Sequence, residues 1–497
     1  CSTSCRKDFE YEPSAGNLSF SRDTVYLDTV FSNIGSSTYS LKVYNTSATD
    51  IRIPSISLRN GTESLYRLNV DGVAGNQFAN TPILGKDSLF IFIETTIDIS
   101  DDSITELLYT DAILFDTETN QQEVELVTLA KKAVFLFPEM DSGNATETIE
   151  LYTDENGNPV VVTGFELDAA HLNFTNEKPY VIYGYAIVPN GKELVVDAGA
   201  RIHFHENSGL LVQNGATLTV NGALSTDLQL LEQEVIFEGD RLEPSFSERT
   251  AQWGAVWLER GSMNNRLNHM TIKNAHIGLF LEADSDLPST TLTITNSQIY
   301  NNSLYNLWAK NASIIAENVV LGGAGIASLQ CENGGNYTFT HCSISNYWNK
   351  GFRTTTALTL KNTDGFGNDN AEDLVRADFA NCIIDGNTQN EITLQPSANS
   401  VFNFNFKNCF IKLVPPQSPT VENLYDVSNP DFYEAILTKG HLDYFAATKN
   451  DFRIGLETEV KNRGALEIAN TVPIDLVGTP RTTMPDLGAY QSKEKQE

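Results

Sequence analysis

Long apolar runs are missing from this 497-residue chain: none is longer than Ala133–Phe137, whereas a helix that crosses a bilayer needs about 18 residues or more. A helical membrane span is thereby excluded. Basic residues are scarce too. Against 64 Asp and Glu stand 33 Lys and Arg, a net charge of −31; such a field repels polyanions, so no nucleic-acid partner is expected. Cysteine is sparse, with six thiols at 1, 5, 331, 342, 382 and 409, and this spacing suits neither a zinc site nor a small disulfide framework. Most of the six are expected to be packing residues, with Cys5 free or disulfide-bonded elsewhere. Walker-type loops, nucleophile elbows and dinucleotide fingerprints are absent from the sequence. What is plentiful is β-formers: 41% of residues are apolar, with 26 Phe and 18 Tyr among many Val, Ile, Leu, Thr and Asn. This composition favours sheet and excludes disorder, and the length suggests two or three domains.

Two patterns divide the chain. From residue 17 to 137, short alternating segments are separated by turn clusters, at Thr24–Val30, Tyr39–Tyr44, Ile51–Leu58, Tyr66–Val70, Leu89–Thr96, Asp111–Phe115 and Glu123–Leu129. Seven strands in that length predict a β-sandwich. Pro138 and the polar residues after it mark a linker over 138–159. Beyond it a motif recurs: LNHMTI from Leu267, ITNSQI from Ile294, IAENVV from Ile315, FTHCSI from Phe339, FANCII from Phe379 and FKNCFI from Phe406. Apolar residues one, four and six cannot share a face of an uninterrupted strand, whose period is two. A left-handed residue at position three resolves the conflict, and Asn tolerates that conformation best among residues with a side chain.

The motif therefore predicts a right-handed parallel β-helix over 160–491, about ten coils stacked at about 4.8 Å. A loop insertion is expected near 352–376, where the repeat lengthens to 40 residues. Position four is filled by Met270, Ser297, Asn318, Cys342, Cys382 and Cys409, so the three thiols are expected to form one buried column. The fold class expected is all-β, a sandwich followed by the solenoid, with a tether at 1–16 and a charged tail at 492–497.

Several stretches carry resemblances. The chain starts at Cys1, followed by Lys7, Asp8, Phe9 and Glu10. This resembles the lipobox cysteine of bacterial lipoproteins and the surface-export signal of Bacteroidota lipoproteins, and it implies lipidation of Cys1. The triplets at Asp23, Asp28, Asp87 and Asp102 resemble that phylum's O-glycosylation signal, which would place sugars on Thr24, Thr29, Ser88 and Ser103. The segment opening LSFSRDTVYLDTV from Leu18 resembles the immunoglobulin-like modules of secreted Bacteroidota proteins, in their cysteine-free form. GDRLE from Gly239, QWGAVWL from Gln252 and DLGAYQ from Asp486 resemble an uncharacterised family of Bacteroidota β-helix lipoproteins. That resemblance implies an outer-membrane location, lipid-anchored and facing outward, and supplies no reaction.

Candidate chemistry is thin. Asn362-Thr363-Asp364-Gly365 resembles the NTDG motif of polygalacturonases, whose inverting hydrolysis needs partner carboxylates; here Asp385 stands alone beside Gly386, and Gly440-His441 runs into Leu442. Asp364, Asp369, Glu372 and Asp373 crowd the insertion as weak ligands for a structural calcium ion, against the simpler reading of solvated acids. His203 and His205 would share a strand face, a geometry zinc can use, but no third ligand is evident. Asp154, Asn156 and Asn158 read better as a hairpin turn than as a calcium loop. Trp253, Trp257, Tyr300, Tyr305, Trp308, Tyr347 and Trp348 gather in the middle coils, and some are expected to form an exposed patch.

These features point to a non-catalytic lipoprotein scaffold without catalytic residues, cofactor or metal. Its expected partner is an outer-membrane complex with a β-barrel component, of the barrel-assembly or nutrient-uptake type. The alternative is a polysaccharide lyase or hydrolase, or a glycan-binding protein.

Overall fold

The computed structural model describes residues 11–140, 145–153, 157–283, 290–364, 371–414 and 424–495. Cys1, Cys5, Lys7, Asp8, Phe9, Glu10, Asp154, Asn156, Gly365 and Asp369 lie outside the described residues. The chain divides into two compact units, Cys1–Ala133 with Leu242–Pro244, and Val134–Arg241 with Ser245–Glu497.

The first unit is built from two sheets. One has Thr24–Phe31, Gln122–Lys131, Glu106–Phe115 and Ile51–Leu58 as successive neighbours, with Glu12–Pro13 and Gln77–Ile83 on the last of these. The other pairs Ser19–Phe20, Tyr39–Tyr44, Ser88–Thr95, Tyr66–Val70 and Val73–Gly75. Alternate residues of both, among them Val25, Leu27, Ile53, Ile113, Leu41, Ile91 and Leu68, enclose one core, the consequence of period-two alternation. All seven expected strands are present. Gln77–Ile83 had no sequence signal, because Asn80 and Pro82 interrupt its alternation; it pairs only with Ile51–Leu58, an edge position where proline is tolerated. Thr24, Thr29 and Ser88 are partly buried within strands, whereas Ser103 is exposed in a turn and donates to Asp101 Oδ1 at 2.7 Å.

The second unit is a β-helix-like solenoid of three ten-stranded sheets. The first runs from Val134–Leu136 to Phe410–Ile411, the second from Thr148–Thr153 to Ile392–Gln395, and the third from Asn173–Phe174 to Tyr433–Glu434. Among the described residues, every pairing within these three sheets is parallel except Thr148–Thr153 with Pro159–Glu166 at the start of the second; outside them, Tyr444–Ala446 pairs antiparallel with Asp451–Ile454. Inward side chains stack in columns. Phe339, Phe379, Phe406 and Tyr433 have ring centroids 5.1, 4.8 and 5.7 Å apart in succession.

Parity is broken at the expected place. His269, Asn296, His341, Asn381 and Asn408 all have φ between 44° and 53°. The third bend is displaced by one residue from the expected alignment: Asn318, not Glu317, is left-handed with φ 56°. Ala316 rather than Ile315 stacks between Ile294 and Phe339, and the residue that enters the apolar core at position four is Val319 rather than Asn318. Ile315 is 40% exposed. Its apolar character misled the alignment, while a left-handed Asn costs less than a left-handed Glu. Cys342, Cys382 and Cys409 do form a column of buried thiols, with Sγ of Cys382 and Cys409 each 3.4 Å from the carbonyl oxygen of the Phe one coil back.

Four boundaries differ from expectation. Val134–Leu136 pairs with Tyr180–Ile182, so the solenoid begins inside the segment assigned to the sandwich. The linker likewise contains strand Thr148–Thr153. The insertion near 352–376 contains a regular rung, Leu358–Lys361, which pairs on both sides in the second sheet; residues 365–370 lie outside the described residues. Residues 440–495, placed by sequence in the coils and tail, instead pack across the outer side of the first sheet. There Leu442, Phe452, Ile454, Val460, Leu487 and Tyr490 bury Val320, Ile383 and Phe410, and Lys493 N still donates to Ile454 O at 3.0 Å.

Candidate functional site: outward faces of the solenoid

Three outward features carry chemistry. The first is an aromatic row on the second sheet. Trp253 and Trp257 are four residues apart and would share a face of a regular strand, but the pairing with Ala275–Glu282 is irregular between Ala255 and Val256, a bulge-type break in the ladder, and the two point to opposite sides. Trp253 points inward, stacked on Phe204 at 4.3 Å with its indole N–H donating to Lys273 O at 3.0 Å. Trp257 points outward, partly buried, and is followed on successive coils by Phe280, only 8% exposed beneath its neighbours, and the partly buried Trp308. Their centroids are 5.2 and 4.7 Å apart, and Tyr305 lies 4.8 Å from Trp308. Lys310 Nζ sits 4.8 Å above the Trp308 ring and 5.4 Å above Phe280, a cation–π arrangement. Glu282, Lys310 and Glu332 form a charged row alongside. Phe280 and Lys310 escaped sequence reasoning, because only the register of successive coils reveals them.

The second feature lies on the outer side of the first sheet. His203 and His205 do not converge. His203 is buried, which depresses its basicity and favours the neutral imidazole; Nδ1 lies 3.3 Å from Gly239 O. Glu238 pairs with Lys273 at 2.9 Å. His205 follows the end of strand Arg201–Phe204, and its Nδ1 meets Asp240 Oδ2 at 2.7 Å while the ring of Tyr183 packs 4.5 Å away. The GDRLE segment thus positions an imidazole through Asp240. Its Arg241 lies 4.1 Å over the Phe246 ring.

The third is a cleft of about 460 Å³ between the coil ends and the C-terminal segment, lined in part by Tyr347, Asp385, Lys412, Lys439, His441 and Tyr444. Asp385 and His441, separate in sequence, meet here. Asp385 is 3% exposed and accepts from Tyr347 Oη at 2.5 Å, and burial raises its pKa. Lys412 Nζ is 3.9 Å from its Oδ1. Nearby, Glu391 and Arg353 form a fully buried pair at 2.7 Å, and Glu391 also accepts from the backbone N–H of Ala357 and Thr388; these contacts fix the coil rather than face the cleft.

Among the described residues no three His, Cys, Asp or Glu side chains are grouped to hold a metal; Asp369 of the acidic insertion lies outside them. Asp373 Oδ1 accepts from Val401 N at 2.8 Å and Asn362 Oδ1 from Ser397 N at 2.6 Å, turn-capping roles. Asp364 follows a second-sheet strand, whereas Asp385 sits in the first sheet, so the NTDG motif and Asp385 belong to different faces. Strands Thr148–Thr153 and Pro159–Glu166 are antiparallel neighbours; Asp154 and Asn156, between them, lie outside the described residues.

The DLGAYQ signature is a clasp. Asp486 accepts from the backbone N–H of Asn462 and Ser492 at 2.7 and 2.6 Å. Gly488 has φ 84°, and a Cβ there would stand 2.7 Å from Ile383 Cδ1 and Ser343 Oγ. Its N–H donates to Asn381 O, and its carbonyl accepts from Arg481 Nη2 at 3.0 Å. Arg481, wholly buried, also donates to Asn318 Oδ1 at 2.6 Å.

No family model and no curated protein matches the chain. Among solved structures, the catalytic unit of a GH87 α-1,3-glucanase from Streptomyces thermodiastaticus is similar over 80% of this chain and 88% of its own, at 11% identity and a TM-score of 0.21. The PapD-like domain 7 of human CEP192 covers 27% of this chain and 96% of its own, at 10% identity and TM-score 0.17. The periplasmic chaperone SfaE covers 29% and 82%, at 14% identity and TM-score 0.16.

Proposed function

We propose that the chain is a non-catalytic scaffold of the outer membrane: a lipoprotein acylated at Cys1, facing outward, with an immunoglobulin-like module and a right-handed β-helix that docks onto a complex with a β-barrel component. The observation that carries this reading is the outward row Trp257–Phe280–Trp308. Its rings are held at coil spacing by parallel rungs, so little side-chain entropy is lost on contact, and Trp is the residue most enriched at interface centres. A right-handed crossover is the rule for parallel strands joined within one sheet, which supports the handedness. The test is isolation of the native protein from outer membranes in mild detergent. A stoichiometric barrel partner is expected, with the Trp257→Ala, Trp308→Ala double variant retaining it at least tenfold less well; the native N-terminal peptide should carry acyl groups by intact mass. A lone monomer that cleaves a glycan would overturn the scaffold.

A second reading, a glycan-binding or polysaccharide-degrading protein, is favoured by one observation, the buried Asp385 carboxylate facing a cleft.

A further inference from the structure

We infer that the cleft beside Asp385 is a binding pocket for one unit of a neutral saccharide. This deepens the second reading above and is independent of the aromatic row. The volume of about 460 Å³ lies in the range of small-molecule sites, and three features define what fits.

The first is a separated donor and acceptor. Asp385 Oδ2 accepts from Tyr347 Oη, and the carboxylate is also met by Tyr444 and by the Gly386 backbone; Lys412 Nζ donates to Gly386 O and stands 3.9 Å from Asp385 Oδ1. That separation is too long for a hydrogen bond between the two. An ammonium has three donors and a carboxylate about four acceptor sites, so a ligand hydroxyl can bridge them, donating to Oδ1 and accepting from a remaining N–H of Lys412. Few ligand groups besides a hydroxyl or water both donate and accept through one atom.

The second is charge balance. Lys412, Lys439 and His441 line the cleft with Asp385 and Asp443, and Asp443 is occupied by Lys495 Nζ at 2.7 Å. Lys412 stands opposite Asp385, and Lys439 and His441 are exposed to solvent, so the buried charge of the cleft is matched internally and a neutral ligand leaves it so. The third is rigidity. Tyr347 packs edge-on against Tyr444 with centroids 5.7 Å apart, and Tyr444 Oη bonds Ser345 Oγ at 3.1 Å; the aromatic wall is thereby set before a ligand arrives. Asp385 lies on a rung flanked by Ser345 on the preceding coil, so the carboxylate is held by the ladder and not by a loop.

The full chain is mixed with glucose, galactose, mannose, N-acetylglucosamine or glucuronate, each at millimolar concentration, and binding is read by saturation-transfer NMR. At least one neutral sugar is expected to bind and not to be cleaved. Asp385→Asn should weaken it about tenfold or more, the usual cost of a hydrogen bond to a charged group. Lys412→Met should weaken it as well, and Trp257→Ala should leave it unchanged. Since Asp385 is buried, each variant is first compared with the parent by thermal melting, and Lys412→Met serves where Asp385→Asn does not fold. Binding that survives both substitutions would overturn the pocket while leaving the glycan reading intact. Preference for glucuronate would overturn the neutral-sugar assignment, and no binding by any of the five would overturn the pocket and leave the scaffold reading untouched.

Discussion

In the N-terminal unit, Glu106–Phe115 and Gln122–Lys131 are antiparallel neighbours joined by one short turn. In the solenoid, Phe379 meets Phe406 only after a complete coil. The first arrangement lays mostly antiparallel strands side by side, with Thr24–Phe31 joining Gln122–Lys131 in parallel, and the side-chain rule is simple alternation. The second makes each residue answer to the same position one coil earlier and one coil later, and alternation must fail wherever the chain turns between sheets. Left-handed residues show the contrast. In the solenoid they stack: Asn318 Nδ2 donates to Asn296 Oδ1 at 2.9 Å, and Asn381 Nδ2 meets His341 Nε2 at the same distance. In the first unit Asn80 is left-handed as well, with φ 54°, but it is exposed on an edge strand. A backbone conformation that is local in one region is a shared column in the other.

That difference can be broken directly by one substitution made twice. Asn381→Val puts a β-branched residue at φ 53°, costing about 1–2 kcal/mol. It also removes buried hydrogen bonds to both backbone groups of Ala465 and to His341, for a total near 4 kcal/mol. Asn80→Val should cost only about 1–2 kcal/mol. Chemical denaturation of the full chain, followed by separate probes in each unit, gives both numbers; equal losses would mean that stacking adds nothing.

Arg481→Met comes next. It strips donors from Ile474 O, Gly488 O and Asn318 Oδ1, although it also relieves a buried guanidinium whose pKa is depressed to about 10 by burial. The expected net loss is about 3 kcal/mol, confined to the clasp. Hydrogen exchange at Leu487–Tyr490 should rise while the first unit stays protected; uniform loosening would contradict a local clasp.

The smallest effect is one of pH. Burial, then the neighbouring Arg481 charge, pushes the His341 pKa well below its usual 6.5. The unfolded chain therefore binds the proton more readily, so this contribution is complete above about pH 6.5 and is lost as the pH falls below it, by up to about 1.4 kcal/mol per unit. His341→Asn keeps a residue suited to φ 51° and should flatten the slope of solenoid stability between pH 6.5 and 5. An unchanged slope would assign it to carboxylates instead.

Much of this architecture was legible in the residues. Alternation placed the seven main strands of the first unit, and the parity conflict in FANCII and FKNCFI placed the left-handed bends and the thiol column. The misaligned bend at Asn318 shows the limit: Ile315 mimics an inward residue because one apolar side chain is the same letter on either face. Gln77–Ile83 was illegible for the opposite reason, since an edge strand needs no alternation. The aromatic row was half legible. Trp257 and Trp308 are conspicuous, but the bulge that turns Trp253 inward and Trp257 outward has no marker in the sequence.

What the sequence by itself determined is the repeat: its period, its bends and its buried columns, because stacking imposes one local rule on every coil. What only the tertiary structure decided is everything that depends on segments far apart in the chain. The C-terminal stretch covers the first sheet, DLGAYQ clasps Ser343 and Asn381, and Asp385 faces His441 across a cleft. Such contacts arise from where the chain returns to, and no local pattern encodes the destination of a return.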